Sequence, residues 1–319
     1  MDKRINRKKL FEEFTSQIKE KSDSRFEKQT DYLVKIKLLE SEFKTLRINV
    51  LQFLSARLFG KDYDIKTEEK IIDLFQKDKT DKLLTTSGLI LPKRDSLLEF
   101  NLVILSFYKI MQRYLSVYGW YEILPLRVKT NRSSEKGGAR RNSSVPHLDS
   151  WTGFSDRAYL CFLPLLGDIE KNTIALWDPL VDIDEQWHEF NITDARARDI
   201  VQRYYKKLDV KLETGYLYVA ESSVIHATEV QEEATARVSI DQLFLPDWAR
   251  YVGLGIQNEN RLKDFIKVEN YESFPHEYIY DFHDSPNVKR PTNGLRSPVG
   301  RKKIILSKRV DSEKQITGE

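Results

Sequence analysis

The sequence predicts an α+β protein, mainly β, in which a helical N-terminal layer precedes a sandwich or barrel of short strands. Three observations carry this prediction. Apolar residues recur at helical spacing through residues 1–119, short apolar runs typical of strands fill 120–250, and one helical stretch interrupts those runs. A long helical segment followed by many short strands is typical of a β-sandwich or barrel covered by helices.

The N-terminal region, 1–119, is predicted to contain three helices. Between 32 and 59, apolar residues follow one another at steps of three and four, and Gly60 stands where a C-terminal cap is expected. Thr67 and the two glutamates after it begin a shorter helix, and a third helix runs from Ser96 to Tyr118. We expect these helices to pack on the core, although they could instead form a homodimer interface.

The segment 120–250 is predicted to be the β core. Its strands are rich in β-branched and aromatic residues; they are 121–129, 157–165, 172–177, 215–220, 223–230 and 235–245. The last two are separated by four residues, a length typical of hairpins, so we expect them to pair with each other. A helix at about 193–208, with Thr193 as its N-cap, interrupts the strands. Residues 251–319 form a C-terminal extension.

Composition excludes several classes of protein. The 319 residues are 40% hydrophobic and 32% charged, which is typical of a soluble globular chain. No apolar stretch reaches the roughly 18 residues of a membrane helix, and the N-terminus turns acidic where a signal peptide would be apolar. The single cysteine, Cys161, excludes an intramolecular disulfide framework and a Cys-rich metal site. We therefore expect a cytoplasmic protein with no membrane partner.

The net charge of +3 is unevenly distributed. Residues 285–319 contain nine Lys and Arg against three Asp and Glu, so the rest of the chain is mildly acidic. An acidic body argues against a general nucleic-acid-binding surface, and we expect no nucleic-acid partner. The basic tail is either a solvated, flexible segment or a contact for an anionic partner.

Two histidines and an aspartate are the candidate metal ligands. His147 and Asp149 stand two residues apart in VPHLDSW, and side chains at this spacing point to one side of an extended chain. His226 follows 79 residues after His147, in the apolar run SSVIHATEV. Each piece alone is commonplace, since a lone histidine in an apolar run is usually a core residue. Together, two imidazoles and one carboxylate make the facial triad of non-haem iron(II) sites.

Arg237 and Ser239 form a second candidate group, on one face of the next predicted strand. In the expected hairpin Thr228 faces Arg237, and His226 faces Ser239; a shift of one residue would break this arrangement. A buried arginine needs an anion, and its guanidinium can bind a carboxylate bidentately. The group therefore indicates a dicarboxylic co-substrate that binds the metal at one end and Arg237 at the other.

These motifs resemble those of the Fe(II)- and 2-oxoglutarate-dependent oxygenases, which fold as a double-stranded β-helix, a jelly-roll or cupin-like core. His-Leu-Asp at 147–149, the distal His226 and Arg237-x-Ser239 stand in the order of that superfamily. The 11 residues from His226 to Arg237 are typical of it. The resemblance covers about residues 120–245.

Two further stretches resemble the phytanoyl-CoA hydroxylase branch of that superfamily. They are NTIALWDP at 172–179 and TGYLYVAESSVIHAT at 214–228. The sequence departs from this branch at Thr173 and Tyr216, where glycine and aspartate are usual, and it has no Pro-Gly-Ser-His after Asn172.

The resemblance implies an enzyme with Fe(II), 2-oxoglutarate and O₂ as cofactors. It assigns metal binding to His147, Asp149 and His226. It assigns 2-oxoglutarate binding to Arg237, Ser239 and Thr228. The implied reaction hydroxylates a C–H bond of a small polar metabolite, such as an amino acid, a sugar or a natural-product intermediate, with succinate and CO₂ as co-products. Since the ligand carboxylate is present, hydroxylation is preferred over halogenation, while desaturation and cyclisation stay open.

The substrate residues are expected close to the metal motif. The loop 131–144 has the basic, Gly- and Ser-rich character of a lid, and its Arg140 and Arg141 could meet an anionic group or simply be exposed. Trp151 and Arg157 could line the pocket, although Trp151 could equally be a core residue.

Two other functions stay open. The same triad could hold Zn(II) or Mn(II) in a cupin-like isomerase or hydrolase without 2-oxoglutarate, but that chemistry has no use for Arg237. A non-catalytic binding or scaffold protein could use the helix at 32–59 and the basic tail. A protein-modifying hydroxylase is a third possibility within the oxygenase class. Metal-dependent formation of succinate from 2-oxoglutarate would separate the oxygenase from the first two.

Overall fold

The computed structural model describes residues 6–60, 63–77, 83–85, 87–121, 124–131 and 143–252, and the backbone of three short strands beyond them. The helices are α1 (Arg7–Ser22), α2 (Glu40–Phe59), α3 (Glu68–Phe75), α4 (Leu97–Tyr114), α5 (Asp194–Tyr204) and α6 (Ala249–Val252). The strands are β1 (Phe26–Lys28), β2 (Leu33–Lys37), β3 (Val117–Tyr121), β4 (Leu126–Lys129), β5 (Tyr159–Gly167), β6 (Asn172–Pro179), β7 (Tyr205–Lys207), β8 (Tyr216–Ala220), β9 (Ile225–Val230), β10 (Arg237–Pro246), β11 (Phe265–Lys267), β12 (Ile279–Phe282) and β13 (Arg301–Ile304).

The strands form a large sheet, a small sheet and a separate pair. The large sheet has the order β1-β2-β8-β5-β10-β3-β11, and β4 also pairs with β10. The small sheet has the order β7-β6-β9, and a backbone bridge between His147 and His226 adds a fourth segment beside β9. β12 pairs with β13, and all these strand pairs are antiparallel.

Three apolar cores hold the layers together. Helices α1 to α4 pack on one face of the large sheet, in a core that includes Phe53 and Phe107. The opposite face meets the small sheet in a second core, to which Phe162 and Leu176 belong. Helix α5 contributes Ile200 to a third core, on the other face of the small sheet. This arrangement of helices, large sheet and small sheet confirms the predicted α+β class. The expectation of a mainly β protein is wrong, because the described residues include more helix than strand.

Three segments predicted as helical pair as strands instead. The third predicted helix ends at Tyr114, and its last two predicted residues, Val117 and Tyr118, belong to β3. β2 begins one residue after the predicted start of the first long helix, because its backbone pairs with β8 along its full length. The predicted helix at 193–208 ends at Tyr204, and β7 then pairs with β6. The apolar spacing in such short segments fits both a helix and a strand, so pairing with neighbouring strands decides which of the two forms. The caps are as predicted, since Gly60 has φ +90° and the side chains of Thr67 and Thr193 accept backbone N–H groups.

The predicted hairpin between 223–230 and 235–245 is wrong. β9 belongs to the small sheet, whereas β10 is an interior strand of the large sheet. The connection at 231–234 therefore crosses from one sheet to the other. β9 has β6 on one side and the His147 segment on the other, so it has no free edge for β10. A short connection favours a hairpin only where both strands keep a free edge.

Within the described residues, no helix has the length and apolar content needed to cross a membrane.

Candidate functional site

The three predicted metal ligands come together at the edge of the small sheet. His147 and His226 exchange backbone hydrogen bonds, both 3.1 Å long, and their ring centres lie 4.5 Å apart. Asp149 begins a 3-10 turn, Asp149–Thr152, and its Oδ2 lies 3.8 Å from His226 Nε2. One ligand atom from each residue lies within 4.8 Å of the other two. Such a set can hold one metal ion.

The alternation of β9 directs His226 into the space between the sheets. His226 and Thr228 lie opposite Leu176 and Ile174 of β6, which belong to the core between the two sheets. Ile225 points to the other face and packs in the core beside α5. Because directly opposed side chains share one face of a sheet, His226 and Thr228 both face the interior.

A hydrogen bond fixes the His147 ring. Its Nδ1 lies 2.8 Å from the backbone carbonyl oxygen of Val145, which can only accept, so Nδ1 carries the proton and Nε2 keeps a free lone pair. Burial, together with the neighbouring His226, lowers the pKa of His147 to about 4, against the opposing effect of Asp149. At neutral pH the imidazole is therefore in the neutral form that binds metals.

Arg237 is a fully buried cation with unused donors. Its Nη1 donates to the Asn172 carbonyl oxygen at 3.1 Å, whereas Nε and Nη2 have no hydrogen-bond partner among the described residues. Its side chain is 0% exposed, and burial lowers its pKa to about 10 although Asp241 raises it. Two buried guanidinium nitrogens with unused N–H donors favour an anionic ligand.

Asp241 does not supply that anion through a hydrogen bond. Its Oδ2 pairs with Arg127 Nε at 2.5 Å, and its Oδ1 accepts from Ser239 Oγ at 2.9 Å. Ser239, predicted to bind the co-substrate, is on the same face of β10 as Arg237 but is bonded to Asp241 in this structure. Arg237 and Ser239 therefore lie on one face, but the Ser239 hydroxyl is hydrogen-bonded to Asp241.

Thr228 approaches β4 through a short chain of hydrogen bonds. Thr228 Oγ1 lies 3.2 Å from Ser143 Oγ, which accepts from Lys129 Nζ at 2.7 Å. Lys129 is 2% exposed and lies directly opposite Arg237 across the β4–β10 pair. Two buried basic side chains thus share one face, since opposed residues project to the same side.

Sequence reasoning missed Lys129, Ser143 and Asn172. Lys129 is only the last residue of a predicted strand, and its relation to Arg237 depends on β4 pairing with β10. Asn172 contributes a carbonyl oxygen, which no side-chain pattern reveals. Alternation along β4 indicates its buried faces, but only the sheet order shows which residue stands beside Arg237.

Trp151 and Arg157, two of the predicted substrate residues, do not line the same cleft. Trp151 borders an open cleft beside His147, and it is 3% exposed. The cleft lies between this segment and α5; it is lined by Val145, Pro146, His147, Trp151, Thr152, Ile192, Asp194, Ala197, Arg198, Val201 and Gln202. Arg157 is not among these residues and lies 3.9 Å from Asp156. Arg140 and Arg141 lie outside the described residues.

No family model matches the chain, and no curated protein matches it. Several solved structures are similar to it at low identity. The non-heme alpha ketoglutarate dependent epimerase SnoN from nogalamycin biosynthesis is 11% identical, with a TM-score of 0.36 over 75% of this chain and 83% of that chain. The carbocyclase SnoK from nogalamycin biosynthesis is 13% identical, with a TM-score of 0.38 over 67% of this chain and 80% of that chain. An N-substituted L-amino acid dioxygenase from Burkholderia ambifaria is 12% identical, with a TM-score of 0.34 over 67% of this chain and 86% of that chain. Each of these TM-scores is below 0.5, and none of these similarities establishes a function for this chain.

Proposed function

We propose that the protein is an Fe(II)- and 2-oxoglutarate-dependent oxygenase that hydroxylates a small metabolite. The observation that carries this proposal is the state of Arg237, which is fully buried and has two nitrogens without a hydrogen-bond partner among the described residues. A charge kept so far from water is costly unless an anion meets it. The distal carboxylate of 2-oxoglutarate is such an anion, and a guanidinium binds it bidentately.

The residues of the metal site fit iron. His147, Asp149 and His226 provide two imidazole nitrogens and a carboxylate, the donor set of non-haem Fe(II) sites, and would hold the ion. When bound, iron supplies the oxidising chemistry with O₂ and 2-oxoglutarate. The hydrogen bond from His147 to Val145 holds the ring with Nε2 available, as is usual for metal-bound histidine.

The interior of the two sheets fits the co-substrate. Arg237 would bind the distal carboxylate through Nε and Nη2, and Lys129 would add positive charge beside it. Thr228 lies two residues after His226 on β9 and faces the same interior. Ser239 would join them by releasing its hydrogen bond to Asp241. Phe162, whose ring centre lies 5.3 Å from the Arg237 guanidinium carbon, excludes water from one side.

The sheet order supports a double-stranded β-helix core at about 120–250. The strands β4-β10-β5-β8 form four neighbours of the large sheet. They face the His147 segment and β9-β6-β7, four neighbours of the small sheet. Two facing, four-stranded antiparallel sheets are what a jelly roll requires. The helices of 1–119 would cover the outside of the large sheet.

The cleft beside His147 is the proposed place for part of the substrate. Its walls include Trp151 and Val201, and Arg198 stands at its exposed rim. This lining suits a small metabolite that combines polar groups with an apolar part. Val201→Trp would fill the cleft, so substrate-dependent succinate release should fall at least tenfold while binding of 2-oxoglutarate persists. Unchanged substrate-dependent release would place the substrate elsewhere.

An anaerobic titration of metal-free protein with Fe(II) and then 2-oxoglutarate tests the proposed function. We expect the weak visible charge-transfer band of an iron–keto acid chelate only after both additions. His226→Ala should abolish the band, and Arg237→Ala should require far more 2-oxoglutarate. Arg113→Ala is the matched control, because this half-exposed arginine pairs with Glu42 in the helical layer. No band in the unaltered protein would refute the proposal and favour a zinc or manganese site.

A further inference from the structure

The first residue of α1 is buried among acidic side chains near the proposed metal site. Arg7 is 3% exposed, and every nitrogen of its guanidinium donates a hydrogen bond. Its Nε and Nη2 bind the two carboxylate oxygens of Glu185 at 2.7 and 2.6 Å. Its Nη2 also lies 3.0 Å from Asp156 Oδ2, and its Nη1 lies 3.2 Å from Glu221 Oε1. One cation thus holds three carboxylates.

Two of these carboxylates belong to turns next to metal-ligand segments. Asp156 follows Asp149 by seven residues, and its backbone carbonyl oxygen also accepts from Arg7 Nη1 at 2.5 Å. Glu221 precedes His226 by five residues. Ser222, between them in space, donates to the Asp156 carbonyl oxygen at 2.5 Å and accepts from Arg7 Nη1 at 2.9 Å. Arg7 therefore ties together the two chain segments that carry the carboxylate and the distal imidazole.

The third carboxylate extends the connection to the ligand turn itself. Glu185 begins the 3-10 turn Glu185–His188. The carbonyl oxygen of Trp187 in this turn accepts from Trp151 Nε1 at 2.6 Å. His188 lies between Ser150 and Ser223, at 3.2 Å from each hydroxyl.

Both serines adjoin segments that carry metal ligands. Ser150 is the neighbour of Asp149 in the chain, and Ser223 lies in the turn before β9. His188 is 1% exposed, so this bridge is sheltered from water. The hydrogen bonds of His188 and Trp187 hold the turn Asp149–Thr152 against the turn that Arg7 grips.

We propose that Arg7 is a positioning residue that fixes the separation of Asp149 and His226. The inference rests on the proposed function, because the two residues are taken there as ligands of one ion. A functional constellation needs its members held within about 0.5 Å, by residues that are themselves locked in place. Arg7 meets this requirement through its five bonded partner groups on three separate turns. The N-terminal helix is then part of the site and not only a cover.

Metal affinity and local mobility test this role separately from overall stability. Arg7→Lys keeps the charge but cannot grip three carboxylates, since an ammonium lacks the planar fork of a guanidinium. Under anaerobic conditions at 15 °C, where each protein is first shown to be folded, the visible absorption of bound Co(II) gives its dissociation constant. We expect Arg7→Lys to weaken Co(II) binding by about 10- to 100-fold, as for other groups that orient metal ligands.

Arg113→Met is the matched control, because it also removes an arginine–carboxylate pair from the helical layer, with Glu42 at 2.8 Å. It should leave Co(II) affinity within twofold of the unaltered protein. A folded Arg7→Lys variant with unchanged Co(II) affinity would overturn the inference, whatever its melting temperature.

Glu185→Gln provides a milder test if Arg7 variants fail to fold, since this carboxylate is partly exposed and Arg7 keeps its other partners. Amide hydrogen exchange of the metal-free protein is the readout. Exchange should accelerate at least tenfold at 149–152 and 221–226 but not in α2. If Glu185→Gln changed the exchange rate at 149–152 and 221–226 no more than it changed the rate in α2, the positioning role would be refuted. The exchange result stands even if the unaltered protein binds no metal, so the failure of the proposed function would be distinguishable.

Discussion

The guanidinium carbon of Arg237 lies 5.3 Å from the centre of the Phe162 ring, between the two sheets. The ring face attracts the cation, but it provides neither a charge nor a hydrogen-bond acceptor. In the part of the chain that the structure describes, Arg237 therefore has one hydrogen bond, which its Nη1 donates to the carbonyl oxygen of Asn172. This relationship makes the buried arginine costly in the free protein, and it supports the proposal that Arg237 binds an anion.

Arg237→Met should stabilise the ligand-free protein. The substitution keeps an apolar side chain beside Phe162 and removes a buried charge that lacks sufficient partners. We expect the free energy of unfolding to rise by about 1 kcal/mol or more, as for other replacements of buried charge by apolar groups. Urea unfolding measures the change. In the presence of Fe(II), added 2-oxoglutarate should stabilise the unaltered protein much more than the variant.

Arg127→Met is a control that should change the free energy of unfolding in the opposite direction. Arg127 Nε pairs with Asp241 Oδ2 at 2.5 Å, so its loss leaves a largely buried carboxylate without its cation. This variant should be destabilised by about 3 kcal/mol. Equal destabilisation of both variants would show that Arg237 is satisfied in the free protein.

His147 should make the metal-free protein less stable at low pH. Its pKa is lowered to about 4 in the folded protein, mainly by burial, against about 6.5 in an unfolded chain. The unfolded state therefore takes up the proton first, so this contribution to stability is complete above about pH 6.5 and is lost as the pH falls towards 4. Urea unfolding from pH 4 to 8 should give a flatter profile for His147→Gln. Parallel profiles would contradict the prediction.

Asp178→Asn should stabilise the protein at neutral pH. Burial raises the pKa of Asp178 to about 6, while the hydrogen bond from Thr30 Oγ1, 3.1 Å long, opposes the shift. Because the folded state holds this proton more tightly, stability falls as the pH rises from about 4 to 6, and the penalty persists above 6. Two pKa units correspond to about 3 kcal/mol, but this partly exposed side chain is screened, so we expect about 1 kcal/mol.

Thermal unfolding at pH 7 and pH 4 checks the Asp178 prediction. The variant should melt higher than the unaltered protein at pH 7 and show little difference at pH 4. Asp182→Asn, a change at a nearby exposed carboxylate, is the control and should be neutral at both pH values. A gain at pH 4 as large as at pH 7 would rule out the proposed cause.

Gly167→Ala should destabilise the large sheet beside Arg237. Gly167 lies opposite Arg237 with φ +82°, and a Cβ there would stand 2.0 Å from the Ala236 carbonyl oxygen. The left-handed conformation alone costs about 1 kcal/mol, and the clash with backbone forces a shift, so we expect a total of about 2–4 kcal/mol. Gly215→Ala separates the two effects, since Gly215 has φ +81° and the nearest atom to a Cβ there, in Phe43, would be 3.8 Å away. Similar losses in urea unfolding for both variants would exclude the clash.

Short stretches of sequence were sufficient to predict the ends of helices and the convergence of two candidate ligands. Thr67 and Gly60 indicate helix ends, because a cap depends only on residues within one turn. The motif around His147 and Asp149 predicts convergence of two ligands, because alternate residues of an extended segment share one side. The order of motifs then indicated His226 as the third member, which the structure places with them.

The sequence by itself determined the α+β class and the three candidate ligands, and it led to the prediction that Arg237 binds an anion. These follow from periodicity, spacing and the cost of burying charge. Tertiary structure decided that β9 and β10 lie in different sheets, that Lys129 stands beside Arg237, and that Arg7 holds the turns next to Asp149 and His226. Sheet order and long-range ion pairs depend on which edges and faces remain free after the chain has packed, and no local pattern encodes that choice.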